Sequence, residues 1–186
     1  MEAKAYLSKI LKELEEALES IDPSEMERLI TAILAAKTVF ISGAGRTGLA
    51  GKAFCMRLMH MGIDAYVLGE TVTSNFTADD LLILGSGSGE TASLISYGQK
   101  AKKIGGNICA ITIKPASSVC ELADFVVKMP GAVKDRSQEA GYETIQPMGS
   151  LFEQILFLFY DAIILGIMEK QGLSNDKMYG KHANLE

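Results

Sequence analysis

The length, composition and charge of the chain exclude several classes of protein. With 186 residues, 48% of them hydrophobic and 22% charged, the chain is predicted to form one globular domain, 1–186, with a substantial core. We divide it into N-terminal helices (1–36), an α/β core (37–171) and a C-terminal tail (172–186). The net charge of −5 argues against non-specific binding to nucleic acid or to an anionic membrane.

The cysteines and the N-terminus indicate a reducing compartment. Cys55, Cys109 and Cys120 are widely spaced and form no CxxC pair, which argues against a disulfide framework and against a zinc site. Residues 1–20 are charged throughout, unlike a signal peptide, and the apolar run 155–168 contains an aspartate and is too short to span a bilayer. We therefore expect a cytoplasmic protein without membrane contact, and with only two histidines in the chain we expect no metal.

The first third of the chain predicts two helices, a strand and a third helix. Apolar residues at helical spacing predict an amphipathic helix over 2–20. Asp22 as the N-cap and Pro23 at the first helical position predict the start of a second helix. The β-branched and aromatic run 38–41 predicts a strand, and the helical pattern over 47–61, which stops at a glycine, follows it.

The rest of the chain continues the alternation of strands and helices. Four further apolar runs predict strands and bring the total to five: 65–68, 81–84, 108–113 and 125–127. A helix follows each of the last three, and the final one, 151–171, is long and apolar and comes after a long polar connection. Apolar strands that alternate with helices predict an α/β fold, a parallel sheet with helices on both faces.

The turn 85–91, Gly-Ser-Gly-Ser-Gly-Glu-Thr, is the most informative segment of the chain. It joins a buried strand to a helix, so its backbone N–H groups, the helix dipole and several hydroxyls converge on one anion, which favours a phosphate on a small molecule. The alternative is that Ser88 or Gly89 simply caps the next helix. The turn lacks the Gly-Lys-Ser/Thr of a Walker A motif, which disfavours a nucleotide-binding module.

A second Gly/Ser turn, 42–45, also follows a strand, and both turns are expected to face the crevice at the carboxyl ends of the strands. The segment 43–48 has G-x-G-x-x-G spacing, but no acidic residue clearly ends the second strand, so it is a weak dinucleotide signal. Arg46 lies at a helix start, where a cation opposes the dipole. This misfit favours binding to an anion or a substrate oxygen over a merely exposed arginine.

Three further residues each allow a functional and a structural interpretation. Ser150 and Glu153 fit the capping box S-x-x-E, so Glu153 is either a helix cap or a general base beside the long connection. His60 lies near the end of a Met-rich helix, where a cation suits the dipole. His182 lies in the polar tail, where histidines are usually solvated.

The motifs resemble those of the sugar isomerase (SIS) domain family. Residues 86–91 look like its phosphate loop and residues 42–46 like its first substrate loop. Residues 56–62, 146–153 and 182–186 resemble the 6-phospho-3-hexuloisomerase branch of that family, and the likeness covers nearly the whole chain.

This resemblance implies a fold, an activity and an assembly. The fold would be a flavodoxin-like, three-layer sandwich with a five-stranded parallel sheet. The activity would be the interconversion of 3-hexulose 6-phosphate and fructose 6-phosphate through an enediol(ate), the second step of formaldehyde fixation by the ribulose monophosphate route, after 3-hexulose-6-phosphate synthase. No cofactor is implied. The assembly would be a homotetramer, and the apolar face of the helix over 2–20 would pack on another subunit.

The resemblance also implies residue roles. Glu153 would be the catalytic base, Arg46 would steady a substrate oxygen, and His182 would move protons between oxygens, in its own or a neighbouring subunit's site. The two turns would supply the remaining substrate contacts: Ser42, Gly43, Ser86, Gly87, Ser88, Gly89, Glu90 and Thr91. His60 and Glu70 are weaker candidates.

Two other functions stay open at this point. One is an aldose–ketose isomerase of the same family that acts on a pentose or heptose phosphate. The other is a non-catalytic sugar-phosphate sensor, although such sensors usually carry a DNA-binding helix-turn-helix for which this chain has no room.

Overall fold

A five-stranded parallel sheet forms the centre of the molecule, as the sequence predicts. The computed structural model describes residues 2–132, 143–182 and 184–185. The strands are β1 (Val39–Gly43), β2 (Ala65–Val67), β3 (Leu81–Gly85), β4 (Asn107–Thr112) and β5 (Phe125–Lys128). Their order is β2-β1-β3-β4-β5, and every pair is parallel. This is the flavodoxin-like order, in which the chain reverses direction across the sheet between β1 and β3.

Helices cover both faces of the sheet. They are α1 (Ala3–Leu18), α2 (Pro23–Ala35), α3 (Gly45–Met61), α4 (Ala92–Ile104), α5 (Ser118–Leu122), α6 (Ser150–Gln171) and α7 (Asn175–Tyr179). The first three pack with α6 on one face, and α4 packs with α5 on the other. The short α7 interrupts the segment that the sequence predicts as a polar tail, and part of the long connection, 133–142, lies outside the described residues.

Local signals set the ends of several helices where they were predicted. The Asp22 carboxylate accepts a hydrogen bond from the Ser24 backbone N–H at 2.8 Å, and Pro23 occupies the first turn of α2. Gly62 and Gly105 end α3 and α4 with φ angles of 85° and 91°. Glycine adopts this left-handed conformation without the steric cost that a Cβ imposes, so the chain can turn directly into the next strand.

The two faces of the sheet bury two separate cores. Alternate residues of a strand point to opposite faces, so Ile83 packs beneath α3 and α6 while Leu82 and Leu84 pack beneath α4. All three are at most 1% exposed. Burial of a side chain of this size stabilises the fold by about 1.5–3 kcal/mol, which makes the sheet a rigid support for the turns at its edge.

Helix α6 begins one residue before the predicted start and ends at the predicted residue 171. The whole helix, with 22 residues, meets the length and composition of a membrane span, although the apolar run 155–168 alone is shorter than a span requires. In the structure, 56% of its most apolar window is buried inside the molecule. It packs against α1, α2 and α3, which is the arrangement of a core helix.

Candidate active site

The two Gly/Ser turns meet at the carboxyl edge of the sheet. Gly43 at the end of β1 is the register partner of Gly85 at the end of β3. An added Cβ at Gly48 would lie 2.4 Å from the Gly43 carbonyl oxygen, so α3 begins in close contact with the first turn. Ser42, the first residue of that turn, is buried and only 6% exposed. The edge between β1 and β3 is therefore where the two turns present their backbone groups.

An open pocket of about 240 Å³ lies between these turns and the start of α6. It contains the predicted Ser86, Gly87, Ser88, Thr91 and Glu153. Ala44 and Gly85 also line it and belong to the two predicted turns. The sequence analysis did not name the rest of its lining as candidate site residues: Thr47, Ile113, Lys114, Ala132, Gly149 and Phe152.

Two of these additional residues follow directly from the crevice rule. Thr47 is the next residue after Arg46, and Lys114 lies two residues beyond the end of β4. Because all strands are parallel, the residues after β4 reach the same edge as the two turns. The sequence signal was therefore present in the predicted strand at 108–113. Phe152 had no such signal, because nothing in the sequence shows which face of α6 meets the pocket.

Hydroxyl groups hold the turn 85–91 in shape. The Ser86 Oγ accepts a hydrogen bond from the Gly89 N–H at 3.1 Å and lies 3.0 Å from the Thr91 Oγ1. The Ser88 Oγ accepts from the Glu90 N–H at 3.3 Å. Gly89 has a φ of 68°, a left-handed conformation that glycine adopts without strain. These contacts shape a concave turn with Ser86, Ser88 and Thr91 on the pocket side.

The alternative of a simple helix cap is wrong, because Thr91, and not Ser88 or Gly89, is the N-cap of α4 and makes no side-chain cap bond. The carboxylate of Glu90 turns away from the pocket to the start of α5. It accepts from the Ser118 hydroxyl at 2.6 Å and from the Ser118 N–H at 2.9 Å, and these two hydrogen bonds lower the pKa of Glu90. Glu90 therefore stabilises the turn 85–91 by binding it to the start of α5.

Glu153, which lines the pocket, forms an ion pair with Arg46, which lies outside the lining. The Arg46 Nη1 lies 3.1 Å from the Glu153 Oε2 and donates to the Ser150 Oγ at 2.8 Å. The side chain of Glu153 is only 7% exposed and that of Arg46 is 56% exposed. A buried carboxylate needs a charged or hydrogen-bonding partner, and Arg46 supplies one from the first turn of α3.

The predicted capping box is wrong. The N-cap of α6 is Gly149, and Ser150 is the first residue of the helix. The Ser150 hydroxyl accepts from Arg46, while the Glu153 N–H donates to the Gly149 carbonyl at 3.0 Å. The capping-box pattern is thus present in the sequence, but an arginine 104 residues away binds both of its side chains.

The two histidines lie together, at the opposite end of α3. The rings of His60 and His182 stack with centroids 5.1 Å apart, and the Arg57 Nη1 lies 3.4 Å from the His60 Nδ1. Burial lowers the pKa of His60, and the charges of His182 and Arg57 lower it further. His60 follows Arg46 by fourteen residues on α3, a distance of about 21 Å at 1.5 Å per residue. Within one chain, the structure therefore keeps His182 away from the pocket.

Glu70, the other weaker candidate, also lies outside the pocket lining. Its carboxylate forms an ion pair with Lys52 on α3, and both side chains are about half exposed. Among residues 2–132, 143–182 and 184–185, no group of three or more His, Cys, Asp or Glu side chains is placed to hold a metal ion.

Chemically, the pocket combines an anion-binding turn with a buried carboxylate and a cation. The turn offers hydroxyls and amides at a helix start, where a phosphate binds well. Glu153 can accept a proton from a group in the pocket. The guanidinium of Arg46 can stabilise an oxygen that gains negative charge.

Comparison with known proteins identifies the family. The SIS domain model matches residues 32–158. A 3-hexulose-6-phosphate isomerase of Bacillus subtilis (strain 168) is 50% identical over 186 residues, which cover 100% of both chains. A 3-hexulose-6-phosphate isomerase of Mycobacterium gastri is 37% identical and covers 97% of this chain and 89% of its own.

A solved structure agrees with the sequence relatives. A hypothetical protein from Methanococcus jannaschii, whose crystal structure infers a function of 3-hexulose-6-phosphate isomerase, is 35% identical. It superposes with a TM-score of 0.84 over 98% of this chain and 99% of its own. The fold, the full-length relatives and the family match agree, and the chain belongs to the SIS domain family of sugar isomerases.

Proposed function

We propose that the protein is an isomerase that interconverts 3-hexulose 6-phosphate and fructose 6-phosphate. The observation that carries the proposal is the position of Glu153, a nearly buried carboxylate that lines the same pocket as the hydroxyls of the turn 85–91. A sugar phosphate needs a phosphate site and a base at a fixed distance from each other, and this pocket offers candidates for both. The full-length relatives named for this reaction support the same substrate.

The reaction moves a carbonyl group from C3 to C2 of the sugar. In our proposal Glu153 removes the proton from C2, and the electrons of that bond form the C2–C3 double bond of an enediolate. The carboxylic acid then returns the proton to C3, while the hydroxyl proton on O2 moves to O3. One carboxylate above both carbons is sufficient for the two transfers at carbon.

The other pocket residues orient the sugar and its charge. We propose that Ser86, Ser88 and Thr91 bind the phosphate and so fix C2 and C3 relative to the base. Arg46, paired with Glu153 in the free site, would bind the oxygen on which the enediolate charge develops. Ser42 and Gly43 would shape the pocket floor through the first turn.

We propose that His182 acts in the site of a neighbouring subunit. It lies at the far end of α3 from the pocket of its own chain, so only a second copy can bring it to a Glu153 carboxylate. Exposed apolar side chains are available to form the interface between such subunits: Tyr6, Leu7 and Leu11 on α1, and Leu49 and Met56 on α3. The predicted homotetramer would provide one interface for the apolar residues of α1 and another for those of α3.

We propose a cytoplasmic location on the basis of the cysteines. All three cysteines are free thiols, and Cys55 and Cys109 are buried, which fits a reducing compartment such as the cytoplasm. An enzyme that forms 3-hexulose 6-phosphate, namely 3-hexulose-6-phosphate synthase, would supply the substrate. We propose that residues 1–186 act as one catalytic domain within that sequence of reactions.

The proposal is tested by mixing the purified protein with 3-hexulose 6-phosphate and measuring fructose 6-phosphate through a coupled NADPH readout. Pentose and heptose phosphates serve as comparison substrates. Rapid turnover of the hexulose phosphate alone supports the proposal. Turnover of a comparison substrate instead would assign a different isomerase, and tight sugar-phosphate binding without any turnover would favour a sensor.

A further inference from the structure

Glu13 on α1 binds the segment that leads into α6, although more than 130 residues separate the two in the sequence. The Glu13 Oε2 accepts from the Thr144 Oγ1 at 2.6 Å and from the Gln146 Nε2 at 3.0 Å. The Glu13 Oε1 accepts from the Ile145 N–H at 2.8 Å. One carboxylate therefore satisfies three donors on three successive residues.

These hydrogen bonds continue into the first turn of α6. Gln146 is buried, 3% exposed, and its Oε1 accepts from the Gln154 Nε2 at 2.8 Å. Gln154 is the residue after Glu153, the proposed base. Hydrogen bonds thus connect α1 to the turn that carries Glu153 through three side chains: Glu13, Gln146 and Gln154.

The short connection between these contacts has an unfavourable backbone conformation. Met148 has a φ of 56°, in the left-handed region that non-glycine residues rarely adopt. Such a conformation persists when its surroundings hold it on both sides. Here Glu13 binds residues 144–146 on one side, and Arg46 binds the Ser150 hydroxyl on the other. Gly149, between Met148 and Ser150, lines the pocket.

We infer that Glu13 is a positioning residue for the proposed base: it sets the path of residues 144–149 and through them the place of Glu153 in the pocket. The inference rests on the proposed function for the identity of the base. It assigns to α1 a part in the active site without contact between α1 and the substrate. A purely structural tie between α1 and α6 is the competing explanation, and the two make different kinetic predictions.

The test is the variant Glu13→Gln with Glu25→Gln as its matched control. A glutamine at 13 keeps the shape but offers one acceptor oxygen and one NH₂ group to three donors. Glu25 accepts a hydrogen bond from the Lys128 N–H at 2.7 Å and so connects α2 to β5 by the same type of bond, across 103 residues, and neither residue lines the pocket. Both variants lose a long-range carboxylate contact, but only Glu13→Gln should displace Glu153.

We expect Glu13→Gln to lower kcat about 10- to 100-fold, the range for a small misplacement of a catalytic group. KM and the Ki of inorganic phosphate should change by less than about twofold, because the turn 85–91 is held by its own hydrogen bonds and by Glu90. Glu25→Gln should keep kcat. Glu13→Asp, which retains both acceptor oxygens on a shorter side chain, should recover part of the loss.

Hydrogen–deuterium exchange provides a readout that does not depend on the substrate. Backbone amides of residues 145–154 should exchange faster in Glu13→Gln than in the parent protein and in Glu25→Gln. Faster exchange with unchanged kcat would show that Glu13 only stabilises the contact between α1 and this segment, and would contradict a positioning role. Unchanged exchange would overturn the inference outright. If the parent protein does not convert 3-hexulose 6-phosphate, the proposed function fails, and the exchange result still decides whether Glu13 orders this segment.

Discussion

At the scale of single residues, some polar side chains of the site hold the turn 85–91 in shape, and others are placed to bind the substrate. Ser86 holds the turn 85–91 through its contacts with Gly89 and Thr91, so its replacement would change both shape and binding. Within the described part of the chain, the Ser88 hydroxyl forms one hydrogen bond, with the nearby Glu90 N–H in its own turn. Ser88 is therefore the better residue with which to measure phosphate binding alone.

We predict that Ser88→Ala raises KM about tenfold and leaves kcat nearly unchanged. A hydrogen bond to a charged group contributes about 1.5–3 kcal/mol, which corresponds to a tenfold or larger change in affinity. Steady-state kinetics and competition by inorganic phosphate measure the effect. Ser96→Ala, an exposed serine on α4, is the control. An unchanged KM together with an unchanged phosphate Ki would show that the phosphate binds elsewhere.

At the scale of secondary structure, short-range signals predicted the elements well. Asp22 with Pro23, and the glycines after α3 and α4, specify helix ends through bonds within a few residues, so they can be recognised without the fold. The alternation of apolar strands with helices was likewise enough to predict the sheet and the edge at which the two turns meet.

Contacts between distant segments could not be predicted in this way. Ser150 and Glu153 form a valid capping-box pattern, yet Arg46 binds both side chains, because the fold brings the start of α3 to the start of α6. Glu13 looked like one more charge on an amphipathic helix. Its partners at 144–146 follow a long polar connection and carry no signal for α1. The sequence predicted the turns of the site but not the contacts that fix its base.

The bonds of Glu13 should also make stability depend on pH. Burial raises the pKa of Glu13, but hydrogen bonds from Thr144, Ile145 and Gln146, with the charge of Lys9, outweigh it and lower the pKa below its ordinary value of 4.5. A group whose pKa falls on folding stabilises the protein above its unfolded pKa, and this stabilisation is lost as the pH falls through its folded pKa.

We predict that Glu13→Gln lowers the free energy of unfolding by about 1–2 kcal/mol near pH 7, from the loss of charge-assisted hydrogen bonds. The difference from the parent protein should shrink as the pH falls below 4.5. Urea unfolding at one protein concentration over that pH range measures it. A difference that stays constant with pH would mean that the charge of Glu13 plays no part in the contact.

At the scale of the whole molecule, the pocket and the two histidines of one chain lie far apart. The pocket lies at the carboxyl edge of the sheet, while the stacked His60 and His182 lie at the far end of α3. A proton-transfer role for His182 therefore needs a neighbouring subunit. The exposed apolar side chains of α1 and α3 would be covered in the same assembly.

We predict that two inactive variants complement each other. Chains truncated after residue 180 keep Glu153 but lack His182, and chains with Glu153→Gln keep His182 but lack the base. Co-expressed mixed oligomers should regain part of the parent activity, because some pockets then combine Glu153 of one chain with His182 of another. Purification through a different affinity tag on each chain, one after the other, selects the mixed oligomers for the assay. Mixed oligomers without activity, or a truncated enzyme that is fully active alone, would place His182 outside the reaction.

The most direct test of the account is the kinetics of Glu153→Gln on 3-hexulose 6-phosphate. Glu27→Gln is the control, since Glu27 also forms an ion pair, with Lys170 at the other end of α6, away from the pocket. We predict that Glu153→Gln lowers kcat by about 10²–10⁴-fold, the usual contribution of a general base, while calorimetry still detects binding of fructose 6-phosphate. A kcat for Glu153→Gln equal to that of Glu27→Gln and of the parent enzyme would contradict the assignment of Glu153 as the base.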